Sequence, residues 1–159
     1  MKIYDTKFIK DQFPALQRKV WDKKLVYLDS AASMQKPKRV LDAISKSYSF
    51  NYSNVHRGLH KLSEEATANY ECSRMKVAKF INCSENEVIF TSGATAALNL
   101  VAYSWGIKNL SAGDEIIITI AEHHANIVPW QIIAEQKNVK IKAAHVDPNS
   151  EFNPDIIRD

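Results

Sequence analysis

A short turn of small and hydroxyl-bearing residues is the first part of the sequence whose residue types could do chemistry. Thr91–Thr95 reads TSGAT and stands between an apolar segment and a predicted helix. Free backbone N–H groups and the dipole at a helix start favour an anion by about 0.3–1 kcal/mol. Gly93 would let the backbone approach a phosphate closely, and Ser92 and Thr95 offer hydroxyl donors. Such residues also cap ordinary helices, so the turn alone predicts either a phosphate site or a helix cap. The turn is not a GxxxxGK[ST] loop.

Two adjacent histidines, His123 and His124, follow the most apolar segment of the chain, Glu115–Ile120. Ligands of parallel sheets bind beyond the carboxyl ends of the strands, so we expect His123 and the Thr91–Thr95 turn to face one crevice. Neighbours on an extended segment point in opposite directions, which argues against a shared metal ion. One imidazole could stack on a planar ring or exchange a proton near neutral pH. The alternative is a structural histidine held by hydrogen bonds.

A third candidate is the polar segment His56–His60, which reads HRGLH. The planar guanidinium of Arg57 suits a carboxylate or a phosphate, and Gly58 permits an unusual loop turn. His56 and His60 have the i, i+4 spacing of a metal pair, but no third ligand accompanies them, and no metal site is predicted. The alternative for Arg57 is an ordinary solvated side chain.

The elements that must position these residues follow from the apolar pattern. The first half predicts a helix over 5–13 that ends at Pro14, a strand over 24–29, a turn over 30–33, a helix from Pro37 and a long helix that Ser63 caps. The apolar face of the helix from Pro37 is Val40, Leu41, Ile44 and Tyr48, and the buried stripe of the long helix is Ala66, Tyr70, Val77, Phe80 and Ile81. The second half predicts strands over 87–90, 115–120 and 139–146, with helices over 95–105, ended by Gly106, and 126–137. Alternating strands and helices predict an α/β fold with a mainly parallel sheet.

Composition narrows the class of protein. The 159 residues carry a formal net charge of +3, with basic residues spread along the chain, so a nucleic-acid surface is not indicated. Two cysteines, Cys72 and Cys83, lie 11 residues apart without a metal-ligand or disulfide pattern. No secretory signal or segment long enough to span a bilayer is visible, so we expect a cytoplasmic protein.

Four separated blocks together resemble one family. They are YLDSAASMQKP at 27–37, NVHRGLHKLS at 54–63, FTSGATAALNLVAYSWG at 90–106 and EHHANIVPWQ at 122–131. Their order and spacing are similar to those of SufS-type cysteine desulfurases, which belong to the class V aminotransferase group of fold type I pyridoxal-phosphate enzymes. The resemblance extends from about residue 8 to the end of the chain. It implies the first part of the large domain of such an enzyme, a mainly parallel sheet flanked by helices.

The resemblance implies a pyridoxal 5′-phosphate site. Thr95 aligns with the phosphate-binding hydroxyl, Gly93 and Ala94 lie in the same turn, and His123 aligns with the imidazole that stacks on the pyridine ring. The family usually has a second threonine at the position of Ala94 and an acidic residue at the position of Ala96. The loss of one phosphate hydroxyl should weaken cofactor binding modestly, because the backbone donors remain.

The resemblance also implies a substrate side and a domain order. Arg57 matches an active-site arginine in a loop that reaches toward the substrate or the partner subunit, and Ala31 and Ala32 match a segment near the substrate carboxylate. Residues 1–26 would form an N-terminal arm that packs with the small domain, and 27–159 the first part of the large domain.

The implied reaction converts L-cysteine to L-alanine and passes the sulfur, as a persulfide, toward iron–sulfur cluster assembly; some relatives act on selenocysteine. The partners implied are L-cysteine, a sulfur-acceptor protein and a second copy of the complete enzyme. The lysine that forms the Schiff base and the persulfide cysteine are not among these residues, so we expect the 159-residue chain to be inactive alone. The alternatives are a non-catalytic phosphate- or cofactor-binding module and a remnant that only interacts with a full-length desulfurase.

Overall fold

The computed structural model describes residues 4–146 and divides into two compact units, with the boundary between Val88 and Ile89. The division predicted after residue 26 concerns the complete enzyme and stays a prediction. The α-helices are α1 Thr6–Asp11, α2 Lys38–Lys46, α3 Lys61–Ile81, α4 Ala94–Val101, α5 Ile107–Asn109 and α6 Val128–Lys137. The strands are β1 Lys19–Val20, β2 Lys23–Lys24, β3 Glu115–Thr119 and β4 Lys140–Ala144. Short 3₁₀-helices at Pro14–Gln17, Glu85–Glu87 and His124–Asn126, and π-helices at Ser47–Asn51 and Ala102–Gly106, connect them.

The first unit begins with α1, as predicted. The Asp5 carboxylate caps it by accepting from the Phe8 N–H at 2.9 Å, and α1 ends before Pro14, whose ring cannot continue the helix. The strand predicted over 24–29 is wrong beyond Lys24. The chain instead forms a short antiparallel hairpin, β1–β2, in which the Leu25 N–H still donates to the Arg18 carbonyl at 3.1 Å. Residues 26–29 belong to no strand of the described part of the chain.

The hairpin was missed because its turn has an unusual sequence. Trp21 and Asp22 both have positive φ, 48° and 58°, the geometry that a two-residue hairpin turn requires. Glycine or asparagine usually signals such a turn, and neither stands here. The turn predicted at 30–33 is confirmed, because the Ser33 N–H donates to the Asp29 carbonyl at 3.0 Å.

Helix α2 follows Pro37 as predicted, and its apolar face is exposed within the described residues. A polar loop then leads to α3, where the predicted cap is wrong. His60 is the N-cap, and its Nδ1 accepts weakly from the Ser63 N–H at 3.4 Å. Ser63 lies one turn inside the helix and is only 1% exposed. The buried stripe is also wrong at its far end, where Phe80 is 89% exposed and Ile81 is exposed because no described residue packs over them.

The second unit contains the predicted βαβ arrangement. Strands β3 and β4 pair in parallel, with Ile117 opposite Lys142, and α6 connects them. Helix α6 ends at Asn138 in the left-handed conformation. The strands contribute Ile116 and Ile141, which pack against the core of this unit. That core consists of Ala102, Leu110, Ile133, Ala134 and Val139. The α/β prediction is therefore confirmed for 115–144.

Two expectations around α4 are wrong. The predicted strand over 87–90 is absent from the described structure, because Glu87 ends a 3₁₀-helix and 88–90 belong to no strand. Gly106 does not end the helix after α4, because the chain continues helically through it to Asn109. Gly106 is buried, and a Cβ there would lie 3.1 Å from the Trp130 ring, so a small residue is needed for close packing rather than for a helix stop.

Across residues 4–146, every helix is too short or too polar to cross a bilayer.

Candidate functional site

The start of α4 has the features that the TSGAT turn predicted. Gly93 is the N-cap, and the Ala97 N–H donates to its carbonyl at 3.0 Å. Among the described residues no side chain caps α4, and Thr91 Oγ1 instead donates to the Gly93 carbonyl at 3.0 Å. Ala94 and Thr95 are exposed at this end. The hydroxyl of Thr95 and the first N–H groups of α4 therefore face solvent, where an anion could bind.

The space beside the backbone of Gly93, at the start of α4, is open. A methyl group at Gly93 would have no protein atom within 4 Å. Nothing in the described structure therefore fills the space beside this backbone, and a phosphate could occupy it.

His123 lies directly after the carboxyl end of β3, at the start of the His124–Asn126 turn. Its Nδ1 accepts a hydrogen bond from the Ala125 N–H at 3.0 Å, and its ring is exposed. A neutral imidazole with an accepting Nδ1 carries its proton on Nε2. The ring of His124 meets it edge-to-face, with centroids 6.4 Å apart and planes at 87°. The two rings are therefore nearly perpendicular to each other.

A polar network that the sequence analysis missed anchors the His123 turn. The Glu122 carboxylate accepts from Thr119 Oγ1 at 3.1 Å and from Asn126 Nδ2 at 3.0 Å. Asn126 Oδ1 in turn accepts from Trp130 Nε1 at 3.2 Å. Glu122, Asn126 and Trp130 stand four residues apart, and this spacing was the signal that could have found them. The network ties the end of β3 to α6 on both sides of His123.

The structure brings two of the predicted site segments together. Helix α4 packs against the His124–Asn126 turn within the second unit. Gly93, Ala94 and Thr95 at the start of α4 and His123 at the start of the turn therefore belong to neighbouring elements.

Arg57, Ala31 and Ala32 belong to the first unit. Arg57 is exposed in the loop between α2 and α3. Ala31 and Ala32 are exposed in the turn that the Ser33 N–H closes on Asp29. Tyr27 donates its hydroxyl hydrogen bond to carbonyls of this turn, that of Ser33 among them. The structure thus places all three on exposed connections rather than within helices or strands.

An ion pair lies beside Arg57. His56 Nε2 lies 2.6 Å from Glu71 Oε1, and Arg74 Nε donates to Glu71 Oε2 at 3.0 Å. The hydrogen bond from His56, aided by Arg74, holds the pKa of the Glu71 carboxyl below its usual range. Within residues 4–146 no group of three potential ligands could hold a metal ion.

The residues at the start of α4 and at His123 fit a phosphorylated aromatic ring. An exposed imidazole offers a flat face for stacking, and the open backbone at Gly93 leaves room for a phosphate. Uncapped N–H groups and a hydroxyl supply hydrogen-bond donors for its oxygens.

Comparison with known proteins identifies the family of this chain. The sequence profile described as aminotransferase class-V matches residues 26–159, and the chain belongs to this family. Pyridoxal phosphate is the family's cofactor.

Several proteins similar to this chain are described as cysteine desulfurases. A probable cysteine desulfurase of Vibrio cholerae is 52% identical over 145 residues, covering 91% of this chain and 36% of that protein. A probable cysteine desulfurase of Synechocystis is 49% identical over 146 residues, covering 91% of this chain and 35% of that protein. The solved apo cysteine desulfurase of Thermococcus onnurineus superposes with a TM-score of 0.83 at 32% identity, covering 95% of this chain and 36% of that one. The fold is therefore part of a fold type I pyridoxal-phosphate enzyme, and the chain spans about a third of the length of these relatives.

Proposed function

We propose that this chain supplies the phosphate- and ring-binding part of a pyridoxal-phosphate cysteine desulfurase site. The observation that supports the proposal is that α4, whose start has no side-chain cap, packs against the turn that follows the exposed His123. Identity of about 50% to two probable cysteine desulfurases supports this choice of reaction.

Each residue of this part of the site has a definite task. The N–H groups at the start of α4 and the Thr95 hydroxyl bind the phosphate, and the helix dipole adds about 0.3–1 kcal/mol. The His123 ring lies against the cofactor ring. Because Ala125 already donates to Nδ1, any proton that this imidazole releases leaves from Nε2.

The bound cofactor would draw electrons from the Cα of L-cysteine, which allows the C–S bond to break and leaves L-alanine. The guanidinium of Arg57 contacts the substrate or a second subunit. The small side chains of Ala31 and Ala32 leave space for the substrate carboxylate. A cysteine thiolate of the complete enzyme would attack the sulfur as the C–S bond breaks, and the persulfide formed there would pass the sulfur toward iron–sulfur cluster assembly.

The finer assignments belong to the same proposal. We place the complete enzyme in the SufS-type group, as a cytoplasmic homodimer that hands sulfur to an acceptor protein, with selenocysteine as a second substrate. None of the lysines in this sequence stands in the Ser-x-His-Lys pattern of the family. The 159-residue chain by itself therefore binds pyridoxal phosphate reversibly and does not turn over L-cysteine.

Titration of the chain with pyridoxal phosphate, followed by tryptophan fluorescence, tests the proposal. His123→Ala should weaken binding about tenfold, because it removes the stacking surface, which is worth about 1 kcal/mol or more. Thr95→Val should weaken pyridoxal phosphate about tenfold and leave pyridoxal unchanged, because only the phosphate uses the hydroxyl. His124→Ala is the matched control and should stay within twofold.

Equal affinity of the parent chain and the His123→Ala and Thr95→Val variants would contradict the site. A single lysine modified stoichiometrically after borohydride treatment would contradict reversible binding. Reversible binding as expected, but with no desulfurase activity in any longer polypeptide that carries this segment, would favour the non-catalytic binding module.

A further inference from the structure

A strained residue directly precedes Arg57. His56 has φ 73°, in the left-handed region that residues with a Cβ seldom adopt. Such a conformation persists only where the surroundings hold it in place, and it is found most often at functional sites. The contacts that hold His56 therefore show how the Arg57 loop is fixed.

The contacts that hold His56 come from one face of α3. Ser63, Thr67 and Glu71 stand four residues apart, so their side chains form a polar stripe that faces the loop. Thr67 Oγ1 accepts from the His56 N–H at 2.8 Å, and Glu71 Oε1 lies 2.6 Å from His56 Nε2. The strained residue is therefore held at its backbone and at its ring.

Ser63 holds both sides of Arg57. Its Oγ donates to the Asn54 carbonyl at 2.7 Å and accepts from the Gly58 N–H at 3.0 Å. A Cβ at Gly58 would lie 2.3 Å from the Ser63 Cβ, so only glycine allows this approach. Because Ser63 is buried, water cannot readily replace it in these hydrogen bonds.

Thr67 is itself fixed within the stripe. Its hydroxyl donates to the Ser63 carbonyl at 2.7 Å, which leaves the oxygen lone pairs toward His56. The Glu71 carboxylate is oriented by Arg74, which also donates to the Val88 carbonyl. Each acceptor that the loop uses is therefore oriented by a second contact.

We infer that Ser63, Thr67 and Glu71 are positioning residues that fix the loop carrying Arg57. The role of Arg57 in this inference rests on the proposed function. The clamp, by which we mean the hydrogen bonds from Ser63, Thr67 and Glu71 to the Arg57 loop, rests on the geometry of the loop alone. The three side chains hold the backbone on both sides of Arg57 and leave its guanidinium exposed.

Amide hydrogen exchange and ¹⁵N relaxation of the chain, with neither cofactor nor L-cysteine present, test the clamp. Thr67→Val keeps the shape of the side chain and removes the hydroxyl. It should speed exchange of the His56 amide about tenfold or more and increase the motion of the Arg57 amide, while the Val77 and Ala78 amides of α3 stay unchanged. Thr67→Ser restores the hydroxyl and should return both readouts to within about twofold of the parent chain.

Ser73→Ala is the matched control, because Ser73 makes the same bond to a carbonyl four residues back, at Asn69, without touching the loop. It should change neither readout. Glu71→Gln is the second variant should Thr67→Val fail to fold; it acts on the His56 ring and should mobilise Arg57 without lowering the protection of Val77 and Ala78.

Unchanged exchange at His56 in Thr67→Val, or unchanged Arg57 motion in Glu71→Gln, would overturn the clamp. Failure of Thr67→Ser to restore the parent behaviour would also overturn it, since packing rather than the hydroxyl would then hold the loop. None of these readouts depends on desulfurase chemistry, so a failed clamp and a failed proposed function give different results.

Discussion

The Ala125 N–H donates to Nδ1 of His123 at 3.0 Å, immediately after the carboxyl end of β3. This contact selects one neutral form of the imidazole, with the proton on Nε2. A hydrogen bond of this kind contributes about 1 kcal/mol, which corresponds to a roughly fivefold preference between the two forms. The atom that can donate to a bound group is thus fixed before any ligand arrives.

Long-range ¹H–¹⁵N spectra of the chain at about pH 9, where imidazoles are neutral, measure this preference. We expect His123 to be protonated mainly on Nε2. A predominance of the Nδ1-protonated form would show that the Ala125 contact is absent in solution.

Asn126 should matter more for stability than its position in a turn suggests. Asn126→Ala removes the acceptor of Trp130 Nε1 and one of the two hydrogen bonds to the Glu122 carboxylate, which keeps the one from Thr119. We expect a loss of about 1–3 kcal/mol in the free energy of unfolding. Urea denaturation measures it. Asn109→Ala, which removes an exposed bond to the Trp105 carbonyl, is the control and should stay within about 0.5 kcal/mol. Equal losses in the two variants would rule out the network as an anchor.

The sequence predicted the second unit better than the first. The βαβ segment was predictable because the three central residues of β3 are isoleucines, and because Asn138 and the pattern of α6 end the helix between two strands. The predictions over 24–29 and 87–90 failed because a strand needs a neighbour, and an apolar run does not show whether one lies alongside.

For the candidate site, the sequence predicted some residues and missed others. His123 and the TSGAT turn could be proposed from the sequence because they follow segments of recognisable type. The polar residues that hold them were missed. Glu122, Asn126 and Thr67 act through contacts across turns, and the identity of each partner depends on the folded loop. Ser63 was assigned to the helix cap because a serine near a helix start is a common cap, whereas the loop folds over it and His60 takes that place.

Gly58 should tolerate no side chain. Gly58→Ala forces the new Cβ against Ser63, and we expect a loss of about 1–3 kcal/mol together with faster exchange of the His56 amide. Urea denaturation measures the first effect. Leu59→Ala, next to it and fully exposed, should stay within about 0.5 kcal/mol. A Gly58→Ala chain as stable as the parent would mean that the loop does not pack on Ser63.

The His56–Glu71 pair should make stability depend on pH in the acid range. Because the pKa of Glu71 is lowered by His56 and then by Arg74, its stabilising contribution is present above the ordinary carboxyl pKa and is lost as the pH falls through the lowered value. Urea midpoints measured from about pH 6 to pH 3 should therefore fall more steeply for the parent chain than for Glu71→Gln.

Glu64→Gln, an exposed change on the same helix, is the control. Its urea midpoint should fall with pH as steeply as that of the parent chain. Identical slopes for the parent chain and Glu71→Gln would contradict a stabilising pair.

The central claim is that the start of α4 and His123 form one site for a phosphorylated ring. ¹H–¹⁵N spectra of the chain recorded with pyridoxal phosphate and with pyridoxal test it most directly. The account predicts that the amides of Ala94, Thr95 and Ala96 shift only with pyridoxal phosphate, whereas the His123 ring shifts with both ligands. Shifts confined to other residues, or a response at α4 that pyridoxal produces equally, would contradict it.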